Sequence, residues 1–230
     1  MDYLLRALGA AWALLAGFDP EVWSAVGTSL RVSVTSSALA AALGIPAGAA
    51  VALGRFRGRS ALLLGLNTLM ALPTVVVGLL VYGLVGRQGP LGGLGLLFTP
   101  AGIVAGECVL VLPLITNLVV SALEGLDPRF HQTCRALGAG PVATARLALW
   151  EARHGVLAAG VAGFGRAIGE VGVAMMLGGN IKGFTRTMTT AIALETSKGE
   201  FELGLALGLV LLAVALGVNA ALFALRGGGR

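Results

Sequence analysis

The run PAGIVAGECVLVLPLITNLVVSA, Pro100 to Ala122, carries a single charged residue, Glu107. A helix of about 20 mainly apolar residues crosses the ~30 Å hydrocarbon core of a bilayer, and this run is long enough. Four more stretches share its character: about Thr28 to Leu53, Ala61 to Val85, Gly155 to Met176 and Leu203 to Leu225. Of the 230 residues 57% are hydrophobic and only 12% charged, and mean hydropathy is +0.90. Soluble domains carry about a quarter charged residues, so in water this surface would lack polar cover. The expected fold is an all-α polytopic membrane bundle of about five transmembrane helices.

The ends of the spans carry information as well. The first opens on Thr28, Ser29 and Arg31, and the second holds Pro73 in its middle, where a kink is expected. Ahead of them, Tyr3 to Phe18 is apolar but reaches only about 24 Å as a helix. Leu4, Leu8, Trp12 and Leu15 share one face of it, which suits a helix lying at the membrane interface. A signal peptide is the rival reading, since Arg6 precedes an apolar run, but Phe18-Asp19-Pro20-Glu21 is a poor cleavage site. The expected organisation is an interfacial helix and outer segment over 1–23 and a membrane domain over 24–226, with a cytoplasmic loop at 123–154.

Basic residues set the orientation. Arg55, Arg57 and Arg59 join spans one and two; Arg129, Arg135, Arg146 and Arg153 join spans three and four; Arg226 and Arg230 follow span five. The opposite side holds Arg6, Arg87, Lys182, Arg186 and Lys198, the last three offset by Glu195, Glu200 and Glu202. The richer set belongs in the cytoplasm, which puts the amino terminus outside and the carboxyl terminus inside, as an odd number of spans requires. The formal charge of +5 is scattered between apolar runs and makes no nucleic-acid face. Cys108 lies in an apolar run and Cys134 in a polar loop, so neither a disulfide nor a metal spacing is expected. Glycines recur four apart at Gly44 and Gly48, Gly102 and Gly106, Gly165 and Gly169, and Gly204 and Gly208, a spacing that lets helices pack closely in lipid.

The loop between spans three and four reads Leu126-Asp127-Pro128-Arg129-Phe130-His131-Gln132-Thr133-Cys134-Arg135-Ala136-Leu137-Gly138-Ala139-Gly140-Pro141. Asp127 suits an N-cap, Pro128 the first helical position and Gly138 the residue that ends the helix. Pro141 then opens a second helix to about His154. The pair makes either an elbow protruding from the cytoplasmic face or an ordinary re-entry turn.

This loop resembles the cytoplasmic loop of bacterial ABC-importer permeases, whose core reads Glu-Ala-Ala, three residues, then Gly. Gln132-Thr133-Cys134 stands in the first three positions and Gly138 in the last, so the glycine matches and the Glu-Ala-Ala does not. Ala71 to Glu107 and Gly163 to Thr196 resemble the tungstate-type branch of the molybdate, tungstate and sulfate permeases, as does Glu151-Ala152-Arg153 in place of Leu-Pro. The resemblance implies a homodimeric pore in a bacterial or archaeal inner membrane. Two ATPase subunits would grip the elbows at Asp127, Phe130, Gln132, Thr133, Cys134, Arg135 and Gly138, and an extracytoplasmic binding protein would deliver the oxyanion. The chain has no Walker-type phosphate loop, so ATP acts on the partner subunit, and no cofactor is expected here.

Polar residues at membrane depth are costly and face protein or water. Arg166 and Glu170 lie one helical turn apart and can pair, either as a structural clasp or as a pore lining or gate; Glu107 is a third candidate that could share Arg166. Beyond span four, Gly178-Gly179-Asn180 breaks the helix. Asn180, Lys182, Thr185, Arg186 and Thr187 then offer cations and hydroxyls suited to an oxyanion, or to the binding protein that brings it. An ion-coupled secondary transporter would predict an internal repeat, and none is visible. An intramembrane serine protease would need a histidine at membrane depth, whereas His131 and His154 both lie in the loop.

Overall fold

Three residue pairs, Asp19-Pro20, Thr99-Pro100 and Asp127-Pro128, place a capping side chain before a proline and start three helices. Asp19 accepts from the amides of Glu21 (2.9 Å) and Val22 (3.1 Å), Thr99 Oγ1 from Gly102 (3.2 Å) and Asp127 from Arg129 (2.7 Å). The computed structural model describes residues 2–54 and 56–227, without the side chains of residues 2–6, 131, 226 and 227. Arg55 and Arg230, and the side chains of Leu4, Arg6, His131 and Arg226, therefore lie outside the described residues.

Among the described residues there are eleven α-helices and no strand. They are α1 (Asp2–Ala16), α2 (Pro20–Leu53), α3 (Arg59–Ala71), α4 (Thr74–Val85), α5 (Pro100–Glu124), α6 (Pro128–Ala136), α7 (Pro141–Glu151), α8 (Arg153–Ile168), α9 (Gly172–Gly178), α10 (Met188–Lys198) and α11 (Phe201–Gly227). α2, α5 and α11 are each long and apolar enough to cross a membrane, and counting each of the bent pairs α3–α4 and α8–α9 as one span gives up to five. The chain is an all-α membrane bundle.

Two spans differ from expectation. The expected kink at Pro73 is a 101° bend, so α3 and α4 are separate helices. Proline lacks an N–H and excludes the α conformation from the residue before it; Leu72 is accordingly extended, with φ −65° and ψ 138°. The fourth span breaks by 62° at Gly169–Val171, a break the sequence reading missed because Glu170 there reads as one half of a pair with Arg166 on a continuous helix. α2 also begins at Pro20, so the boundary expected at residue 23 falls inside this helix.

α5 sits at the centre, packed along α2 and against α8. A Cβ on Gly48 would lie 2.8 Å from both Thr116 O and Val119 Cβ, and one on Gly106 would lie 2.3 Å from Leu177 Cδ1. Close approach therefore explains the first two glycine pairs. Gly165 abuts Val218, Gly169 marks the helix break, and a Cβ on Gly208 would meet open space, so the four-residue spacing is not a packing device throughout. Ala40, Ala49, Val111, Ile115, Val119 and Leu123 fill the core between α2 and α5, with Ala148 and Ala152 continuing it toward the elbow. α1 lies on α11 through buried Ala7 and Ala11, leaving Leu8 and Trp12 on its exposed side.

Candidate functional site

α6 ends in a double-bonded turn. The Gly138 amide donates to Arg135 O (3.1 Å) and the Ala139 amide to Cys134 O (2.9 Å), with Gly138 at φ +70°. This is the Schellman arrangement that a left-handed residue permits. Pro141 then opens α7, and the two short helices form an elbow. At its tip Leu137 is 81% exposed and Val142 70% exposed. These two large apolar side chains were missed in the sequence; their signal was an apolar residue on either side of the Gly138–Pro141 turn.

The seven residues expected to contact a partner divide into two groups. Gln132, Thr133, Arg135 and Gly138 are exposed. Phe130 packs onto the core cluster of α2 and α5, and Cys134 is buried in spite of its polar loop, so both face inward and hold the elbow in place. Asp127 is exposed and spends one carboxylate oxygen on the cap.

The membrane-depth ion pair sits at the break of the fourth span. Arg166 Nη1 donates to Glu170 Oε2 at 2.7 Å, and Glu170 Oε1 accepts from the Val173 amide at 3.2 Å. Glu170 thus closes the end of α8 and caps α9 with one side chain. It is 2% exposed, whereas Arg166 remains 39% exposed. Glu107, buried on α5, accepts from Ser36 Oγ at 2.8 Å across the α2 interface; it makes no direct ion pair with Arg166, although the two charges lie close enough to interact. Ser36 belongs to a buried polar strip on α2 with Ser29, Ser33 and Ser37. Ser29 Oγ accepts from the Met188 amide (2.7 Å) and ties the start of α10 to α2.

The polar segment after α9 is bonded both within itself and to the start of α2. Lys182 and Arg186 each bond Glu21 at 2.6 Å, and Arg186 also lies 3.6 Å from Glu195. Thr185 Oγ1 accepts from Ile181 N and donates to Gly178 O, while Thr187 forms a reciprocal capping box with Thr190. Thr185 and Thr187 are buried. Thr185, Arg186 and Thr187 thus bond to neighbouring protein groups, while Arg186 Nε and Asn180 Oδ1 are buried without a hydrogen-bond partner among the described residues. Lys182 remains exposed, and Asn180 Nδ2 donates to Thr190 O at 3.3 Å.

Residues 44–226 match the family described as the binding-protein-dependent transport system inner membrane component. The chain belongs to this family. A tungstate uptake system permease protein TupB from Peptoclostridium acidaminophilum is 38% identical over 226 residues, covering 98% of this chain and 99% of that one. A probable anion ABC transporter permease protein from Haloferax volcanii is 43% identical over 202 residues, covering 86% and 87%. The molybdenum transport system permease protein ModB of Escherichia coli K12 is 33% identical over 196 residues, covering 79% and 83%. The fold is shared with a solved chain of the inward-facing MetNI methionine ABC transporter, at a TM-score of 0.67 and 18% identity over 93% of this chain and 96% of that one. As an inner membrane component of such a transport system, this chain is an integral membrane protein. Its elbow and its broken fourth span both carry exposed or charged groups in a largely apolar bundle.

Proposed function

We propose that this chain is the pore-forming subunit of an ATP-driven importer for an inorganic oxyanion, tungstate first and molybdate second. The observation that carries the proposal is the nearly end-to-end likeness to a tungstate uptake permease, covering 98% of this chain; the likeness to ModB favours molybdate as the alternative. Two copies form the pore, two ATPase subunits hydrolyse ATP, and an extracytoplasmic protein supplies the anion. Gln132, Thr133, Arg135 and Gly138, joined by Leu137 and Val142, meet the ATPase at the elbow. Arg166 and Glu170 form the gate: a cation in partial contact with water attracts the anion, and the buried carboxylate holds that cation in place.

Reconstitution with the ATPase and binding protein in liposomes tests the reading. ATP-dependent uptake of tungstate should exceed that of molybdate at equal concentration. A molybdate preference would reverse the order, and uptake of neither would refute the proposal.

The proposed orientation puts the elbow and the carboxyl terminus in the cytoplasm and the amino terminus outside. In a background with Cys108 and Cys134 replaced by alanine, R57C should react with an impermeant thiol reagent only from the cytoplasm and Q88C only from outside. Labelling of both from one side would overturn the five-span arrangement.

A further inference from the structure

A cavity of about 1060 Å³ opens where the end of α2, the start of α3 and the elbow converge. Pro128, Gln132 and Arg135 line it from one face of α6, Thr144 from α7, and Ala52, Leu53, Phe56, Arg57 and Arg59 from the turn between α2 and α3. Three of these residues are arginines and none is acidic. Arg59 is fixed: its Nε donates to Val51 O at 2.9 Å, and its guanidinium pairs with Glu124 at the end of α5. Arg57 is exposed and makes no ion pair with any described residue. The cavity lies where the end of α2 meets the start of α3, with Leu53 and Phe56 on its apolar side.

We propose that this cavity binds a phosphoryl-type anion, drawn either from the headgroup of an anionic phospholipid or from free inorganic phosphate. Basic recesses between membrane helices on the cytoplasmic side have the charge and depth for such headgroups. A guanidinium presents a planar fork of N–H groups matched to phosphoryl oxygens, and the Thr144 hydroxyl adds a neutral donor. Because α6 supplies one wall, an occupant would tie the elbow to the membrane end of α2. The inference does not depend on which oxyanion is transported.

Native mass spectrometry of the purified full chain, with phosphatidylglycerol and phosphatidylcholine supplied in equal amounts, reads the lipid source. Calorimetric titration with inorganic phosphate in neutral detergent reads the free-anion source. Retention of phosphatidylglycerol over phosphatidylcholine supports the headgroup, and phosphate binding without lipid preference supports the free anion. In either case R57Q should weaken binding about fivefold and R57E further, as expected for one basic group near an anionic surface. The control R87Q should bind as the parent does. The proposal is overturned if neither ligand binds, or if R57E binds as tightly as the parent. It is also overturned if the anion is lost whenever the ATPase subunit is bound, because an acidic side chain of that partner would then be the occupant.

Discussion

Replacing Gly138 with valine is expected to uncouple ATP hydrolysis from transport while leaving membrane insertion intact. A Cβ at this position would meet nothing within 4 Å, so bulk is not the difficulty. The difficulty is the backbone: φ is +70°, and the left-handed region costs an L-residue roughly 1–2 kcal/mol, more when the side chain is β-branched. A penalty of that size shifts a two-state balance by about 5- to 30-fold. The turn that bonds Gly138 to Arg135 and Ala139 to Cys134 would open, and Leu137 and Val142 would leave their positions at the tip. Asparagine tolerates the left-handed region, so Gly138→Asn should keep most of the coupled activity although it too adds a full side chain. The measurement is substrate-stimulated ATPase activity of the reconstituted transporter. Equal coupling in Gly138→Val and the parent would remove the elbow from the proposed mechanism.

Arg166→Met is expected to be the most damaging change inside the membrane. It would strand the Glu170 carboxylate, which is almost wholly buried. Breaking a buried pair from one side costs about 3–5 kcal/mol, while replacing both partners can be near neutral; with Arg166 partly exposed, the low end of that range applies. The compensating variant must respect the second bond of Glu170, to the Val173 amide. Arg166→Met with Glu170→Gln removes both charges and keeps an oxygen to cap α9, so assembly, read by size-exclusion profile and thermal stability in detergent, should return. Arg166→Met with Glu170→Leu should recover less, because the Val173 amide is then left open. If Arg166 forms the proposed gate, uptake stays lost in the glutamine double variant even though assembly is restored. Parental uptake in that variant would reduce the pair to a clasp.

Local chemistry made much of this legible in the sequence. A capping side chain before proline marks a helix start from three or four residues alone, and apolar length marks a span. The elbow was legible for the same reason, since Asp127, Pro128, Gly138 and Pro141 each act on their immediate neighbours. What escaped was long-range. Lys182 and Arg186 look like free cations because their partner, Glu21, lies 161 and 165 residues away. Glu107 interacts with the Arg166 charge, but its hydrogen-bond partner, Ser36, comes from the α2–α5 contact and lies 71 residues away. The break at Gly169–Val171 coincides with Glu170, whose charge suggests a partner one turn back on an unbroken helix, and the cap from Glu170 to Val173 reveals the break. Phe130 and Cys134 sit in a polar stretch, but their helix turns them toward the core.

The 34 residues of α2 amount to about 51 Å of helix, well beyond the ~30 Å a bilayer core requires. One end is held by Glu21 to Lys182 and Arg186; at the other, Val51 O is held by Arg59 beside the elbow. A rod fastened at both extremities behaves as a lever. A tilt of about 5° moves one end of a 51 Å helix by ~4 Å relative to the other, comparable to the length of an ion pair. A displacement of the elbow therefore reaches the Glu21 contacts at the far end along one continuous helix, with Pro46 as its one interior break in hydrogen bonding and no relay of loops between them.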